Sequence, residues 1–383
     1  MHKHSSLSQF HITENIEVRK LGWNVSLGTI AGALITIFVP IYLYQLNYPL
    51  WQIFGYFCLI GVFAGFQHFV SAYLIRFIGP NRIIALSDLS DIIAYMLLAT
   101  LTVYGWPIWL IAFFKGSGKG LYWPAFHASF ARDRNRKSPG TQIGILSSLL
   151  LLAGVIGPAI GGAVADNYGL QYVYLAGGAL MLISALPLIF GPNEFAGYRL
   201  DYSKLKLKQA IWDYSAGFSY SLMSLTQMLV WPLVTFLFIS NYVGVGLLSS
   251  VITLASIAVT LYVGKREKKK GELGYIREGS ILGAITGSFR LIAETAPAIF
   301  STNLLSGVTY SLIHTPFVTR YYKNSDNEPR VEYVVGMELA HSLAWAFYGG
   351  VLALLSLFLP LQTVLFIGLA IAVPASFGVR LIK

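Results

Sequence analysis

The sequence predicts an all-α integral membrane protein of twelve transmembrane helices in two pseudo-symmetric six-helix halves, and three observations carry that prediction. First, 55% of the 383 residues are hydrophobic and 11% are charged, where an ordinary soluble domain has about 25% charged. One membrane helix needs about 20 mostly apolar residues, and twelve such spans with their connections use up the chain. Second, 24 of the 27 Lys and Arg residues fall in alternate connections between apolar runs, as expected when cytoplasmic loops hold the basic excess. Third, Gly and Pro landmarks recur at a constant offset of 192 residues, the weak internal symmetry of a repeat-built membrane fold.

Residues 1–20 are polar, with Glu14, Glu17, Arg19 and Lys20 directly before the first apolar run. They lack the basic start, short apolar core and small-residue cleavage site of a signal peptide, so the first helix is expected to stay as an anchor. Apolar runs bounded by charge or turn residues then place spans at 21–44, 51–75, 83–104, 107–130, 142–164 and 171–190. A cytoplasmic linker at 191–209 contains Pro192, Lys204, Lys206 and Lys208. Beyond it, spans fall at 211–239, 243–264, 278–296, 298–320, 333–357 and 361–381, with Pro297 dividing the ninth from the tenth. The two halves are thus 21–190 and 210–383.

One set of connections holds Lys3, Arg19, Lys20, Arg76, Arg82, Arg132, Arg134, Arg136, Lys137, Arg199 and the linker lysines. It continues with Lys265, Arg266, Lys268, Lys269, Lys270, Arg277, Arg320, Lys323, Arg330, Arg380 and Lys383. The opposite set, around Asn47, Tyr104, Asn167, Asn241, Pro297 and Pro360, holds none, and only Lys115, Lys119 and Arg290 fall inside spans. The net charge of +10 is therefore a topology signal that implies no nucleic-acid partner. Both termini are expected in the cytoplasm, with a monomeric chain multi-pass in the plasma membrane. Cys58 alone excludes an intrachain disulfide, and nothing resembles a metal site, so neither metal nor cofactor is expected.

The repeat pairs Pro40 with Pro232, Gly79 with Gly271, Pro124 with Pro316 and Gly157 with Gly349. In span four, Gly116, Gly118 and Gly120 cost about 1 kcal/mol each relative to Ala but let neighbouring helix backbones approach closely. In span five, Pro158 removes a backbone hydrogen bond and favours a bend. That bend either closes one end of a cavity or is simply tolerated, Pro being common in membrane helices.

These segments resemble the major facilitator superfamily, and the resemblance covers essentially the whole chain. LIRFIGPNR, with Arg76, Gly79 and Arg82, is similar to the loop signature after the family's second span, but Arg76 stands at the acidic position of its gating ion pair. AFFKGSGKGLYWPA resembles the family's fourth span through Gly116, Gly118, Gly120 and Pro124, with Ala112 where the family has Arg. GVIGPAIGG resembles a motif frequent in family antiporters through Gly157, Pro158, Gly161 and Gly162, with Ala153 where another Gly is expected. The resemblance implies a central cavity lined by spans one, four, seven and ten, and alternating access between the two halves.

Charges inside spans are the first functional candidates, since each costs about 2.5–3.5 kcal/mol at mid-bilayer. Lys115 and Lys119 share one helical face at i, i+4 with Ala112, and Lys119 lies about 18 Å from Pro107 at the helical rise. Lys119 either faces a polar cavity and binds solute or pairs structurally with an acid, for which Asp91 is available. Asp91 and Glu338, with His341 on the face of Glu338, are the proton-coupling candidates, because burial of a carboxylate favours its protonated form; a structural ion pair is the alternative. Asp88 is a further buried acid, and Arg290 with Glu294 reads as an i, i+4 pair. His314 is either a cavity ligand or a packing histidine, and Gln227, Tyr44, Trp123 and Trp231 are pathway candidates against a packing alternative.

A secondary transporter of a small solute, anionic or amphiphilic, is the leading function, driven by protons or another coupling ion across the lipid bilayer. Abundant aromatics also suit a broad-specificity, multidrug-type efflux antiporter. A membrane enzyme is disfavoured because no Ser/His/Asp set or phosphate loop is evident and the connections are too short for a catalytic domain. A receptor would need an extramembrane domain, which is missing. No GxxxxGK[ST] motif occurs, so energy is expected from gradients.

Overall fold

The computed structural model describes residues 16–133, 139–189, 201, 203, 205–326 and 328–383. The start of the chain with Lys3 and Glu14, then Arg134, Arg136 and Lys137, the linker stretch 190–200 with Pro192 and Arg199, and Lys204 lie outside the described residues. The described residues contain helices and no strand, as a lipid environment requires of a backbone that must satisfy its own polar groups. They form twelve rods, consistent with the twelve expected spans. In the first half, α1 is Ile16–Ile35 continued past a 3-10 turn as Val39–Gln45, α2 is Leu50–Ile78, and α3 is Pro80–Ala99 extended by Leu101–Tyr104. They are followed by α4 (Ile108–Asp133), α5 (Pro139–Tyr168) and α6 (Leu170–Ile189). In the second half, α7 runs Leu207–Leu225, through a π turn at Thr226–Val230, to Trp231–Ile239. The remaining rods are α8 (Tyr242–Lys270), α9 (Glu272–Arg290), α10 (Ala296–Asp326), α11 (Arg330–Leu355) and α12 (Leu361–Gly378).

Only α9 departs clearly from its expected position. It was expected at 278–296 and occupies Glu272–Arg290. Gly271, at φ 72°, turns the chain straight from α8 into α9, so the helix begins in charged residues that read as a loop. Pro297 divides nothing; it lies in the first turn of α10, where its missing N–H costs no helical bond. Among the described residues, seven helices are long and apolar enough to cross a membrane. The rods outside that group include α3, α4, α9 and α10, which carry Asp91, Lys115, Lys119, Arg290 and His314.

The internal repeat is visible in the backbone. Gly79 and Gly271 have nearly the same conformation, φ 75° and 72° with ψ 160° in both. Pro40 and Pro232 each sit in the first turn after the break in α1 and α7, and Pro124 and Pro316 lie inside α4 and α10. In the first half α1 packs on α5 and α6, α3 on α4 and α6, and α2 on α4; the same five pairings recur as α7 on α11 and α12, α9 on α10 and α12, and α8 on α10. The halves meet along two seams, α2 with α11 and α5 with α8. Glycines make these seams close: a Cβ at Gly61 would collide with the Ala346 backbone, one at Gly349 with the Cys58 backbone, and one at Gly246 with the Pro158 carbonyl.

Basic residues gather at one end of the bundle, where Lys323 pairs with Glu272 and Arg330 with Asp326. At that end the buried Asp213 carboxylate accepts from Tyr333 Oη at 2.7 Å, Asn324 Nδ2 at 2.9 Å and the Lys383 N–H at 2.9 Å. It thereby fastens α7, α10, α11 and the chain end together.

Candidate functional site

The site is built on α4, where Lys115, Lys119, Trp123 and His127 repeat at i, i+4 and share one face. The glycines between them fix how that face is aimed. A Cβ at Gly116 would meet Phe63 and Ile60 of α2, one at Gly120 would meet Gln67 and Ala64 of α2, and one at Gly118 would meet Asp91 and Ser87 of α3. Held this close, α4 presents Lys115 and Lys119 to a cavity of about 40 Å³ whose walls include Thr36, Tyr56, Tyr95 and Trp345.

The two lysines differ in what neutralises them. Lys115 Nζ donates to Asp91 Oδ1 at 2.9 Å and to Tyr95 Oη at 3.0 Å, so its charge is met inside the protein. Lys119 makes no hydrogen bond or ion pair to a described residue, and its ammonium lies 4.7 Å from the centroid of the Trp345 ring. A cation on an aromatic face gains about 0.5–2 kcal/mol, and the Glu338 and Asp91 carboxylates add attraction from beyond ion-pair distance, so the ammonium has no direct counter-charge against its desolvation.

From Lys119 toward the basic end runs a chain of titratable groups. Glu338 of α11 is 3% exposed and lies between His127 Nε2 at 3.5 Å and His341 Nδ1 at 3.6 Å. His127 Nδ1 is 2.8 Å from Tyr322 Oη of α10. His68 of α2, fully buried, bridges the halves with Nδ1 2.9 Å from the Gly120 carbonyl and Nε2 2.8 Å from Ser342 Oγ. Since a carbonyl only accepts, Nδ1 of His68 carries the proton.

Both ends of this region are closed by contacts between the halves. At the basic end, His127 of α4 meets Tyr322 and Tyr321 of α10. At the opposite end, Tyr242 Oη donates to Gln45 Oε1, and its ring meets Phe38 edge-on with centroids 5.8 Å apart. There too, Asp166 of α5 accepts the N–H groups of Tyr242 and Val243, each at 2.9 Å. About 40 Å³ admits a few waters, far below the roughly 300–1,000 Å³ of a solute pocket. This cavity is therefore closed to a solute of that size.

Of the expected solute-binding residues, Lys115 and Lys119 reach the cavity. Trp123 shares their face but stacks on His127, centroids 5.6 Å apart. Tyr44, half-buried near the end of α1, and Gln227, in the π turn of α7, do not line it. Nor does His314, which stacks on Tyr310 at 4.7 Å and is 2.6 Å from Tyr220 Oη within the second half. This cavity is walled by α1 to α4 and Trp345 of α11, so of the four helices expected to line a central cavity α1 and α4 line this one.

The remaining candidates divide as follows. Asp91 is the partner of Lys115, while Asp88 accepts from Asn24 Nδ2 at 2.5 Å and Ser184 Oγ at 3.3 Å, joining α1, α3 and α6. The Arg290–Glu294 pair does not form: α9 ends at Arg290, so the i, i+4 geometry is lost, and Glu294 is exposed. Arg76 lies over Tyr73 and Phe77, 4.0 and 4.6 Å from their ring centroids, Arg82 is exposed, and Gly79 turns the chain. Gly157 and Gly161 let α5 press on α1, and Gly162 lets it press on Tyr242 of α8. Helix α5 runs unbroken through Pro158. His68, His127 and Trp345 were not singled out in the sequence; His127 had a legible signal, lying four residues beyond Trp123 on the lysine face.

A profile of the Major Facilitator Superfamily matches residues 92–349, and one of an MFS_1 like family matches residues 3–176. The chain is 26% identical over 148 residues to the tetracycline resistance protein, class E, of Escherichia coli, covering 35% of this chain and 36% of that protein. It is 32% identical over 85 residues to the multi-drug resistance efflux pump PmrA homolog of Lactococcus lactis subsp. lactis (strain IL1403), covering 22% and 20%. The chain thus matches only about a third and a fifth of these relatives' lengths. Its fold is similar to a D-xylose-proton symporter, with TM-score 0.72, 11% identity and coverage of 94% and 96%. It is also similar to the nucleoside transporter NupG, with TM-score 0.65, 14% identity and coverage of 95% and 98%.

Proposed function

Because this chain belongs to the Major Facilitator Superfamily and is a multi-pass membrane transporter rather than an enzyme, we propose that it moves a small anionic or amphiphilic anionic solute by alternating access. The observation that carries the reading is Lys119: a cation at the closed cavity, against Trp345, with no ionic partner among the described residues. A solute anion would meet that charge while bound, and the aromatic wall would take an apolar body. The halves would then rock about the glycine seams to open the cavity to either side. Glu338, with His127 and His341 on either side of it, is suited to carry the coupling proton. The basic end faces the cytoplasm in this reading, with both termini there and the chain in the plasma membrane. A monomer suffices, because one chain encloses the cavity.

Lys119→Ala in purified protein tests the reading. Proteoliposome uptake across anion classes, with and without a proton gradient, should find at least one accumulated anion for the wild type. Lys119→Ala should abolish its binding while shifting the melting temperature little, and Lys119→Arg should be partly active, since a planar fork replaces a point charge. A large loss of stability with unchanged affinity would sink the anion reading. Glu338→Gln should abolish uphill accumulation and leave solute exchange intact; unchanged accumulation would remove Glu338 from coupling. The second reading, multidrug-type efflux, is favoured by Tyr56, Phe57, Tyr95 and Trp345 around the cavity and by the similarity to two resistance proteins. It predicts that neutral and cationic aromatics compete with the anion.

A further inference from the structure

Away from the lysine cavity, the second half buries a cation with no counter-charge among the described residues. Arg290, the last residue of α9, is 7% exposed, and its guanidinium lies 4.3 Å from the centroid of the Trp231 ring of α7. Among the described residues its Nε and Nη2 have no hydrogen-bond partner, and no carboxylate pairs with it. Trp231 Nε1 donates to Asn303 Oδ1 of α10 at 2.7 Å. An indole N–H can only donate, so the amide oxygen of Asn303 must face it and the Nδ2 group must point elsewhere. That Nδ2 is also without a partner, as is the hydroxyl of Thr235, one turn beyond Trp231, and both residues are fully buried.

Arg290 and Asn303, which both touch the Trp231 indole, and Thr235, one turn further along α7, thus hold four unpartnered polar atoms, of which Arg290 and Asn303 supply only donors and one full positive charge. Buried polar groups are almost always satisfied, and an orphan points to an unseen water or ion. Two of the three guanidinium nitrogens are shielded without a counter-charge, and a negatively charged acceptor offsets the cost of burying that charge better than a neutral water does. The missing partner is therefore an acceptor with negative charge. It must be small, because the orphan atoms are shielded from solvent. We infer that Arg290, Asn303 and Thr235 form a second anion site, separate from Lys119, that takes a small monovalent anion. A free inorganic ion and a small carboxylate share this chemistry, so chloride and acetate are the two probes.

The test is the melting temperature of the purified full chain while sodium gluconate is replaced by sodium chloride, or by sodium acetate, at constant ionic strength. Binding to the folded state alone gives a saturating rise with ligand concentration. Wild type should show that rise in chloride and in gluconate should not. A rise in acetate as well assigns the site to carboxylates and halides alike, and a rise in chloride alone assigns it to inorganic anions. Arg290→Gln should abolish the response, and Thr235→Val should raise the half-saturating concentration about threefold to tenfold. Lys119→Ala should keep the response in full, which separates this site from the proposed solute site. A wild type indifferent to both anions, or an Arg290→Gln protein that still responds, overturns the inference. If Arg290→Gln does not fold, an unchanged half-saturation in Thr235→Val with a lost response in Lys119→Ala overturns it equally.

Discussion

The two halves share one backbone plan and place opposite chemistry on it. At the 192-residue offset, Asp91, Lys115 and Lys119 of the first half correspond to Gly283, Gly307 and Ser311 of the second. The charged trio serves the cavity, whereas Gly307 lets α10 press on Ile252 and Ala255 of α8, and Ser311 Oγ donates to the Ser256 carbonyl at 2.6 Å. The exchange also runs the other way. Val39, Leu98 and Ile111, all buried and apolar, correspond to Trp231, Arg290 and Asn303. The repeat therefore preserves what lipid demands of a backbone, namely breaks, caps and close crossings, while the cost of each buried charge is met locally.

The contrast breaks most violently if the chemistry is transplanted. Gly307→Lys puts the side chain of Lys115 at the matching place in α10, where any Cβ already meets the backbone of α8 and where Gly283 stands in place of the acid. Overpacking and an unpaired charge are both large-effect mechanisms. The expected outcome is little or no monodisperse protein in size-exclusion chromatography. A well-folded Gly307→Lys protein would mean the two halves are chemically interchangeable.

A middle-sized effect is expected at the pair itself. Lys115→Ala leaves Asp91 without its cation at 2.9 Å, and breaking a buried pair by removing one partner costs about 3–5 kcal/mol. The low end applies here, since the lysine side chain is 25% exposed. The melting temperature should fall accordingly and return largely when Asp91→Asn is added. Failure of the second substitution to rescue would show that Lys115 acts through something other than Asp91.

This division also explains what the sequence disclosed. Helix positions, the repeat and the close-packing glycines of α4 are local or periodic signals, written in apolar run length and in Gly and Pro spacing. The lysine face was legible for the same reason, because i, i+4 spacing needs no tertiary knowledge. Which acid meets which lysine was not legible: Asp91 lay within reach of either lysine in a linear reading, and the packing of Gly118 against Asp91 is what gives it to Lys115. Trp345 reaches the site across the α2 and α11 seam and His68 bonds Ser342 across it, and a contact between residues so distant in the chain leaves no local mark. The Arg290–Glu294 pairing does not form because it needs a helix running on through Glu294, whereas α9 ends at Arg290.

The smallest effect concerns the two seams, which differ by one cap. At the end opposite the basic residues, Asp166 of α5 receives the N–H groups of Tyr242 and Val243, each at 2.9 Å, and so caps α8 from the other half. The corresponding place on the α11 seam is Phe358, which is 77% exposed and has no acceptor to offer the start of α2 at Leu50. At this end one seam is therefore latched by a carboxylate on the positive end of a helix, and the other has no such cap. A cap of this kind is worth about 1 kcal/mol. Asp166→Asn keeps one acceptor oxygen and loses the charge and the two-pronged grip, so overall stability should barely change. The population of forms open at that end should rise about fivefold, the equivalent of about 1 kcal/mol. The readout is the labelling rate of a cysteine placed at Phe38, which is fully buried against the Tyr242 ring, in a Cys58→Ser background. Asp166→Asn should speed labelling about fivefold, and Phe358→Ala should leave it unchanged. Equal rates in all three proteins would show that the cap holds no more than the bare packing does, and that the two seams are energetically alike.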